Sequence, residues 1–463
     1  MVAELGYDHL ELSPRDDFMP FFVHPRVDTA TIVAFKRLRL GGAGPRVGHV
    51  HARRDRAAYR WLEPMSQPVG VAVLGFGWMG QVHARAHARL LHHYPDAPLH
   101  PRLVAVADPE PSRRALAAAA YGCDTTYADW PEVVARADVD VVSVTGPNYL
   151  HEPMAVSAAR AGKHVWVEKP VGRHLADTTQ VAAAVRAAGV RSAVGFNYRN
   201  APAVEKARVL LAQGRIGRVQ TVTVRLLADY SAHPLGALSW RFDPALAGSG
   251  VVGDLACHGL DLARYVVGSD VTEVVADCAT FIAQRPQAAG TVSHYATAAG
   301  GPVGPVGNED HVVALLRFGT GARGVLESSR VAVGEQCAYG IEVHGETGAL
   351  AWDFRRMGEL LVTLDADRYT DAAWTLHRVT PADGQLGAFQ PAAGIEMGYD
   401  DLKVVEVERL LRSIAEGRPI GATLEDALVT ARTADALLRS AAERRWVAVG
   451  ADPTPSCQHD TSL

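Results

Sequence analysis

The stretch Val71–Arg85, with the sequence VAVLGFGWMGQVHAR, decides the fold of this chain. It begins with four consecutive apolar residues, which is typical of a strand buried on both faces of a parallel sheet. A GxGxxG turn and then a helical pattern follow. In such a turn the first glycine permits the bend, the second lets the backbone approach a pyrophosphate, and the third lets helix and strand pack closely. We therefore predict a dinucleotide-binding loop, made of Gly75, Phe76, Gly77, Trp78, Met79 and Gly80.

Asp108 follows the next predicted strand, Leu103–Ala107. An acidic residue at this place can accept hydrogen bonds from the adenosine ribose hydroxyls and would repel a 2′-phosphate, which favours NAD over NADP. Arg113 and Arg114 lie close in sequence and could instead host a 2′-phosphate, so NADP remains an alternative. Asp108 could also be an ordinary strand-ending turn residue.

Composition excludes several classes of protein. The 463 residues suffice for two domains with separate cores. A net charge of −5 gives no reason to expect nucleic acid or an anionic membrane as a partner. Five cysteines without a CxxC pair indicate reduced thiols in a cytoplasmic protein rather than a disulfide framework or a zinc site. No apolar run approaches membrane-spanning length.

Residues 1–66 differ in character from the rest and are interpreted as an N-terminal extension. The segment GYDHLELSPRDDFMPFF resembles the interior of a sugar-phosphate isomerase/epimerase barrel of the xylose-isomerase-like type. One βα unit cannot close a barrel. Our hypothesis is that residues 1–64 are a remnant of a neighbouring reading frame and that the natural start is Met65; the alternative is a genuine N-terminal arm.

Strand and helix patterns alternate over residues 67–198, which indicates parallel βαβ units. A strand over Val139–Thr145 is predicted to end beside the cofactor, because ligands of such sheets lie at the carboxyl ends of strands. The residues expected to face the crevice there are Thr145, Pro147, Asn148 and His151. We predict an α/β Rossmann domain over residues 67–198.

The chain resembles the glucose–fructose oxidoreductase/inositol dehydrogenase (Gfo/Idh/MocA) family from about Pro68 to Val449. The motifs that carry the resemblance are the glycine loop, AGKHVWVEKP, GFNYRNAP and GSGVVGDLACHGLDLARYVVG. Two further segments, LADYS…LSWRFDPALAGSG and the Gly-rich insertion near Gly300–Gly307, resemble the levoglucosan dehydrogenase and sugar 3-dehydrogenase branch. In this family the peptide bond before Pro170 is often cis.

Past Arg199 the pattern changes to consecutive strands with tight turns, which indicates an antiparallel sheet. We predict an α+β domain over residues 199–449 with a large, open, mostly antiparallel sheet, covered on one face by a helix over 253–267. The loop Gln284–Asn308 is predicted to lack regular structure. Residues 450–463 are predicted to be a disordered tail.

The resemblance implies a catalytic constellation of Lys169, Asp254 and His258. Asp254, His258 and Asp261 are spaced i, i+4 and i+7, hence on one helical face. Oxidation of an alcohol by nicotinamide requires a group that removes the hydroxyl proton. Partial desolvation is expected to lower the pKa of Lys169, and His258 needs little tuning to act as a base. The sequence leaves open which of the two accepts the proton, while Asp254 would bind a neighbouring substrate hydroxyl.

Other interpretations of this spacing remain. Asp254 could be a helix-capping residue, and His258 could be a core histidine. An Asp/His/Asp set can also bind metal. No further ligand at suitable spacing supports a metal site, so we predict no metal. Glu168, Lys169 and Asn197 complete the predicted cofactor site. The predicted substrate site also holds Lys169, Asp254 and His258 and adds the side chains of Tyr198, Arg199, Tyr230, Trp240 and Arg241. Trp240 could instead serve interdomain packing.

The resulting prediction is an NAD(P)-dependent dehydrogenase that prefers NAD and oxidises a secondary hydroxyl, at C3, of a pyranose sugar, anhydrosugar, glycoside or cyclitol. We expect a homodimer or homotetramer packed sheet to sheet. Two alternatives remain: an NAD-dependent glycosidase that works through transient C3 oxidation and elimination, and a non-catalytic NAD-binding sensor.

Overall fold

The structure of the chain is a computed structural model that describes residues 67–287, 296–298, 301–364 and 373–450. The described residues belong to one compact unit. The predictions for residues 1–66 and for the tail after residue 450 lie outside the described residues, as does the centre of the loop Gln284–Asn308.

The first sheet is parallel and grows from the strand before the glycine loop. In the described ranges it has six strands in the order β3-β2-β1-β4-β5-β6, and every neighbouring pair is parallel. The strands are β1 (Gln67–Leu74), β2 (Leu99–Ala107), β3 (Thr125–Tyr127), β4 (Val141–Val144), β5 (His164–Val167) and β6 (Ser192–Val194). The apolar run Val71–Leu74 is completely buried, as a strand covered on both faces requires. The predicted Rossmann architecture is confirmed.

In this part of the described chain, five helices connect these strands, and a sixth follows β6. They are α1 (Trp78–His93), α2 (Pro111–Tyr121), α3 (Pro131–Val134), α4 (Asn148–Arg160), α5 (Leu175–Ala188) and α6 (Pro202–Ala212). Helix α4 begins at Asn148 and tolerates Pro153 in its second turn, where one backbone hydrogen bond is lost.

The second half of the chain builds a larger sheet. Its strands and one short hairpin are β7 (Val219–Leu227), β8 (Val271–Ala279), β9 (Gln284–Pro286), β10 (Val303–Pro305), β11 (His311–Phe318), β12 (Arg323–Ser329), β13 (Ala338–Gly345), β14 (Ala349–Asp353), β15 (Glu359–Thr363), β16 (Thr375–Arg378) and β17 (Val447–Ala448). Over the residues that the structure describes, nine of them form one sheet in the order β16-β15-β14-β13-β7-β12-β11-β8-β17. In this sheet the adjacent strands β7 and β12 are parallel, and all other adjacent strands are antiparallel. The prediction of an open, mostly antiparallel sheet is confirmed.

The loop Gln284–Asn308 is not devoid of regular structure. Its two ends, β9 and β10, pair as an antiparallel hairpin. The expectation of an irregular loop was therefore wrong at these ends. Composition gave no signal for this pairing, because each strand has only three residues and contains a proline, and β10 also contains a glycine.

The remaining helices are α7 (Pro244–Ala247), α8 (Cys257–Val267), α9 (Tyr399–Glu416) and α10 (Leu424–Glu443). As predicted, α8 packs on the large sheet, and it does so through Gly259, where a Cβ atom would lie 2.4 Å from Leu226 Cδ1. A π-helical turn, Val252–Ala256, precedes α8, so the expected uniform α-helix over 253–267 was wrong in its first turn. No helix in the described ranges is long and apolar enough to cross a membrane.

Helix α9 covers one face of the parallel sheet although it lies near the end of the chain. Its side chains share a buried core with residues of β1, β4, β5 and β6, namely Val71, Val141, Trp166 and Ala193 with Val404, Val407, Leu410 and Leu411. The Val194 amide of β6 also donates to the carbonyl oxygen of Ala422 just before α10 (3.0 Å). A segment that the sequence placed in the second domain therefore completes the first.

Candidate active site

The glycine loop connects β1 to α1 in a tight turn. Gly75 has φ +91°, a conformation that disfavours side chains, and the hydroxyl of Thr145 donates to its carbonyl oxygen (2.6 Å). A Cβ atom on Gly80 would lie 2.1 Å from that same oxygen, so helix and strand are in close contact. Gly77, in contrast, borders open space, since a Cβ there would meet only an Arg113 nitrogen at 3.9 Å.

Helix α1 begins at Trp78, and no side chain caps its first turn. Its N-terminal amides are therefore available to a pyrophosphate, which the helix dipole also favours. Asn197 is fully buried, yet neither its amide nitrogen nor its oxygen has a hydrogen-bond partner among the described residues. A buried amide in this state suits a ligand that offers both a donor and an acceptor, such as a carboxamide. The site thus fits a nicotinamide dinucleotide.

Asp108 is buried at the end of β2 and holds the loop in place. Its carboxylate accepts hydrogen bonds from the backbone amides of Phe76 (2.6 Å) and Glu110 (2.9 Å). Arg113 lies 3.4 Å from the same carboxylate, and Arg114 donates to the carbonyl oxygens of Asp108 (2.7 Å) and Pro109 (2.9 Å). Both arginines that could have met a 2′-phosphate are thus engaged, which agrees with NAD.

The residues after β4 connect parts of the cleft. Both ring nitrogens of the buried His151 lie against carbonyl oxygens, of Gly146 (2.7 Å) and of Pro170 (2.8 Å). The Asn148 amide donates to the Ala247 carbonyl oxygen (2.9 Å) of the second half. The Phe76 ring is buried against Tyr121, whereas Trp78 is 58 % exposed and stacks on Tyr399. Tyr399 is not recognisable from the sequence alone, since nothing in the local pattern connects it to the glycine loop.

Lys169 and Asp254 meet across the two halves. The Lys169 ammonium follows β5 and donates to the carbonyl oxygen (2.6 Å) and to Oδ1 (3.1 Å) of Asp254, which lies in the π-helical turn. The Tyr230 hydroxyl donates to the other carboxylate oxygen. The Lys169–Pro170 peptide bond is cis, as the resemblance led us to expect.

These contacts set the charges of the pair. Burial alone would raise the pKa of Asp254, but the charges of Lys169 and Arg241 and the hydrogen bond from Tyr230 hold it below its usual range. Burial would likewise lower the pKa of Lys169, but the charges of Asp254 and Glu168 raise it. The expected lowering was therefore wrong for the chain by itself, because a carboxylate partner outweighs desolvation.

His258 lies one turn further on, buried against the rings of Tyr198 (4.8 Å between centroids) and Phe196 (6.1 Å). Its Nδ1 atom has no hydrogen-bond partner in the part of the chain that is described. Burial and then the Lys169 charge lower the pKa of His258 well below its ordinary value. The imidazole is therefore neutral at pH 7.

Of the other predicted substrate residues, one lies in the interior, and others lie near His258 or Asp254. Arg199 is buried away from the cleft, where its guanidinium binds the Asp261 carboxylate (Nε–Oδ2 2.6 Å). Tyr198 packs among His258, Tyr339 and Phe354. Arg241 stacks on Trp240 (4.4 Å) and lies near enough to Asp254 to lower its pKa. No group of three or more metal-ligating side chains occurs in the described ranges.

Comparisons with known proteins agree with this geometry. Residues 69–196 match the family model described as "Oxidoreductase family, NAD-binding Rossmann fold", and residues 204–351 match the GFO/IDH/MocA C-terminal domain. Levoglucosan dehydrogenase of Pseudarthrobacter phenanthrenivorans is 34% identical over 385 residues, which are 83% of this chain and 98% of that protein. Inositol 2-dehydrogenase of Rhizobium meliloti is 30% identical, over 82% of this chain and 99% of its own.

A solved structure of levoglucosan dehydrogenase in complex with NADH superposes with a TM-score of 0.78 at 33% identity. The match covers 83% of this chain and all of that one. On this evidence the chain belongs to the GFO/IDH/MocA family of oxidoreductases and carries its NAD-binding Rossmann domain.

Proposed function

We propose that this oxidoreductase is an NAD-dependent dehydrogenase of a polyhydroxylated ring. Its substrate would be a pyranose sugar, anhydrosugar, glycoside or cyclitol, oxidised at one secondary hydroxyl, with C3 as the preferred position. The names of the relatives support the substrate class. The observation that carries the proposal is the contact of Lys169 with Asp254 beside a neutral, buried His258.

The three side chains divide the work. NAD, when bound, would supply the acceptor for the hydride of the carbinol carbon, so the chain's own residues must take up the hydroxyl proton. We assign the proton to His258, because its imidazole is neutral and its Nδ1 atom lacks a partner within the described ranges. Lys169, kept protonated by Asp254, stabilises the developing negative charge on the substrate oxygen. Asp254 accepts a hydrogen bond from a neighbouring substrate hydroxyl.

The proposal is tested by following NADH absorbance with NAD or NADP against sugars, anhydrosugars, inositols and aryl glycosides. We expect stoichiometric NADH with at least one of them, and a loss of kcat of about 10²–10⁴-fold in Lys169→Ala and in His258→Ala. Lys163→Ala is the matched control: Lys163 precedes β5 at its other end and donates to the Arg136 carbonyl oxygen.

Three results would contradict the proposal. Release of an aglycone without net NADH would identify a glycosidase, and NAD binding without turnover of any substrate would identify a sensor. Equal activity of the wild type, Lys169→Ala and His258→Ala would place the chemistry elsewhere.

We further propose a homodimer or homotetramer formed through the large sheet. The face opposite α8 carries partly exposed apolar side chains, including Val313, Leu315, Val325, Leu361 and Leu376. Sedimentation should show a single assembly that Leu315→Glu dissociates. We also propose that the boundary between the two domains lies between residues 198 and 199. A cytoplasmic location is part of the proposal too, and it agrees with the free thiols of Cys123, Cys257, Cys278 and Cys337.

A further inference from the structure

A buried charged cluster lies directly behind the catalytic strand end. The Lys403 ammonium of α9 donates to Glu168 Oε1 (2.5 Å) and to Glu406 Oε2 (3.1 Å), and all three side chains are buried. Glu168 is the residue immediately before Lys169. We call Glu168, Lys403 and Glu406 the Lys403 cluster.

Aromatic and histidine side chains enclose this cluster. His83 of α1 lies 3.0 Å from Glu168 Oε1 and stacks on Trp166 (3.4 Å between centroids). The Trp166 indole in turn donates to Glu406 Oε2 (3.0 Å). On the remaining side a Cβ atom on Gly195 would lie 2.4 Å from Glu168 Oε1. The Glu168 carboxylate therefore has one place to occupy.

Helix α9 reaches the cluster through a seam along α1. Arg85 and Arg89 of α1 pair with Asp400 and Asp401 in the first turn of α9 (Arg85 Nε–Asp400 Oδ2 2.6 Å). Lys403 follows one turn later and is completely buried. These contacts fix the position of α9 along α1, and so they place the Lys403 ammonium at the end of β5.

We propose that Lys403 is a positioning residue for the dehydrogenase reaction, holding Lys169 in place through the carboxylate of Glu168. Because Glu168 and Lys169 are neighbours, a displacement of one side chain's anchor moves the backbone that carries the other. A buried ion pair that loses one partner leaves an uncompensated charge, which must move towards water or take up a proton. The inference rests on the proposed role of Lys169.

Electrostatics support the same role. Burial would raise the pKa of Glu168, but Lys403 and His83 keep it ionised, and its charge then raises the pKa values of both Lys169 and His258. His83 and His151 also lie near Glu168, but burial lowers their pKa values, to about 4 for His83, and leaves both neutral. Lys403 is thus the nearest cation to Glu168 behind the strand.

The experiment compares Lys403→Met with Arg409→Met. Arg409 lies on the same helix and is largely buried, and it forms an ion pair with Glu205 and donates to Asn200 Oδ1 (2.6 Å), away from β5. Both variants should lose thermal stability. With NADH-binding sites titrated, we expect Lys403→Met to lower kcat by about 10- to 100-fold, as misplaced catalytic groups do, with a change in the sugar KM below threefold. Arg409→Met should keep the wild-type kcat.

Glu168→Gln provides a second test that keeps the shape and removes the charge. It should shift both limbs of the kcat/KM pH profile to lower pH, because the carboxylate that raises the pKa values of Lys169 and His258 is lost. If Lys403→Met and Glu168→Gln match Arg409→Met in kcat and in pH profile, the cluster is merely structural and the proposal is wrong. Lys169→Ala separates the two questions: full activity in that variant would refute the proposed function, whatever Lys403→Met shows.

Discussion

The Lys169 ammonium donates hydrogen bonds to two oxygen atoms of one residue, the carbonyl oxygen and the carboxylate of Asp254. One contact joins a strand end of the nucleotide-binding sheet to the backbone of the π-helical turn, and the other sets the charge of both side chains. The carbonyl contact depends on local backbone geometry, while the carboxylate contact depends on ionisation. The two can therefore be separated by substitution.

Asp254→Asn should shift the whole pH profile to lower pH. The Asp254 carboxylate raises the pKa values of Lys169 and of His258, so its loss lowers both. The acidic limb of kcat/KM reports deprotonation of His258 and the alkaline limb reports loss of the Lys169 proton, so both limbs should move down. Asp243→Asn, which keeps an oxygen to cap α7, is the control. Unmoved limbs would show that Asp254 does not tune the bases.

Asp108→Asn should relax the preference for NAD. The substitution removes the negative charge that would repel a 2′-phosphate and frees Arg113, 3.4 Å away, to meet it. We expect the ratio of kcat/KM for NADP to that for NAD to rise about tenfold or more, the size of a single charge-assisted contact. Asp124→Asn, in an exposed pair with Arg102, should leave the ratio unchanged. A constant ratio in Asp108→Asn would place the discrimination elsewhere.

Tyr399 should contribute to cofactor affinity through its ring. Its ring stacks on Trp78 in the glycine loop (5.4 Å between centroids), and its hydroxyl donates to Met79 Sδ (3.7 Å). Because such a stack is worth about 0.5–1.5 kcal/mol, Tyr399→Ala should weaken NADH binding by up to about tenfold. Tyr399→Phe retains the ring and should bind within twofold of wild type. Equal dissociation constants for all three proteins, measured by fluorescence titration, would contradict this role.

Arg330 should support the fold rather than the reaction. It is buried with Asp310 (2.9 Å) and donates to Asn308 Oδ1 (2.8 Å). Breaking a buried pair costs about 3–5 kcal/mol, so Arg330→Met should lower the free energy of unfolding in urea by that amount. Arg218→Met, which breaks an exposed pair with Glu346, should lower it by less than about 1 kcal/mol. Similar losses in both variants would contradict this distinction.

Local patterns predicted the nucleotide half well. The glycine loop and Asp108 are recognisable from their immediate neighbours, because a strand end and the first turn of the next helix are adjacent in sequence. Lys169, in contrast, was assigned through the resemblance to the Gfo/Idh/MocA family. The predicted fold classes of both halves were confirmed. They could be predicted because the period of the apolar residues shows whether helices or turns connect the strands.

Contacts between distant segments could not be predicted in this way. Arg199 looked like a cleft residue because it follows a strand end, yet its partner Asp261 is 62 positions away and holds it in the interior. Lys403 and Glu406 interrupt an apolar helix face, which signals a buried charge but does not name Glu168 as its partner. The π-helical turn at Asp254 could not be predicted either, because the segment VVGDLA is too short to show a hydrophobic period that distinguishes a π-helix from an α-helix.

The pairing of Lys403 with Glu168 also has a consequence for the order of events during synthesis. The two residues are separated by 235 positions, so Glu168 leaves the ribosome long before its cation exists. A nascent chain that ends before α9 carries a parallel sheet with one uncovered apolar face and a carboxylate without its ammonium partner. The nucleotide-binding half should therefore reach its native state only when nearly the whole polypeptide has emerged. Until then, its uncovered apolar sheet face is a surface that chaperones can bind.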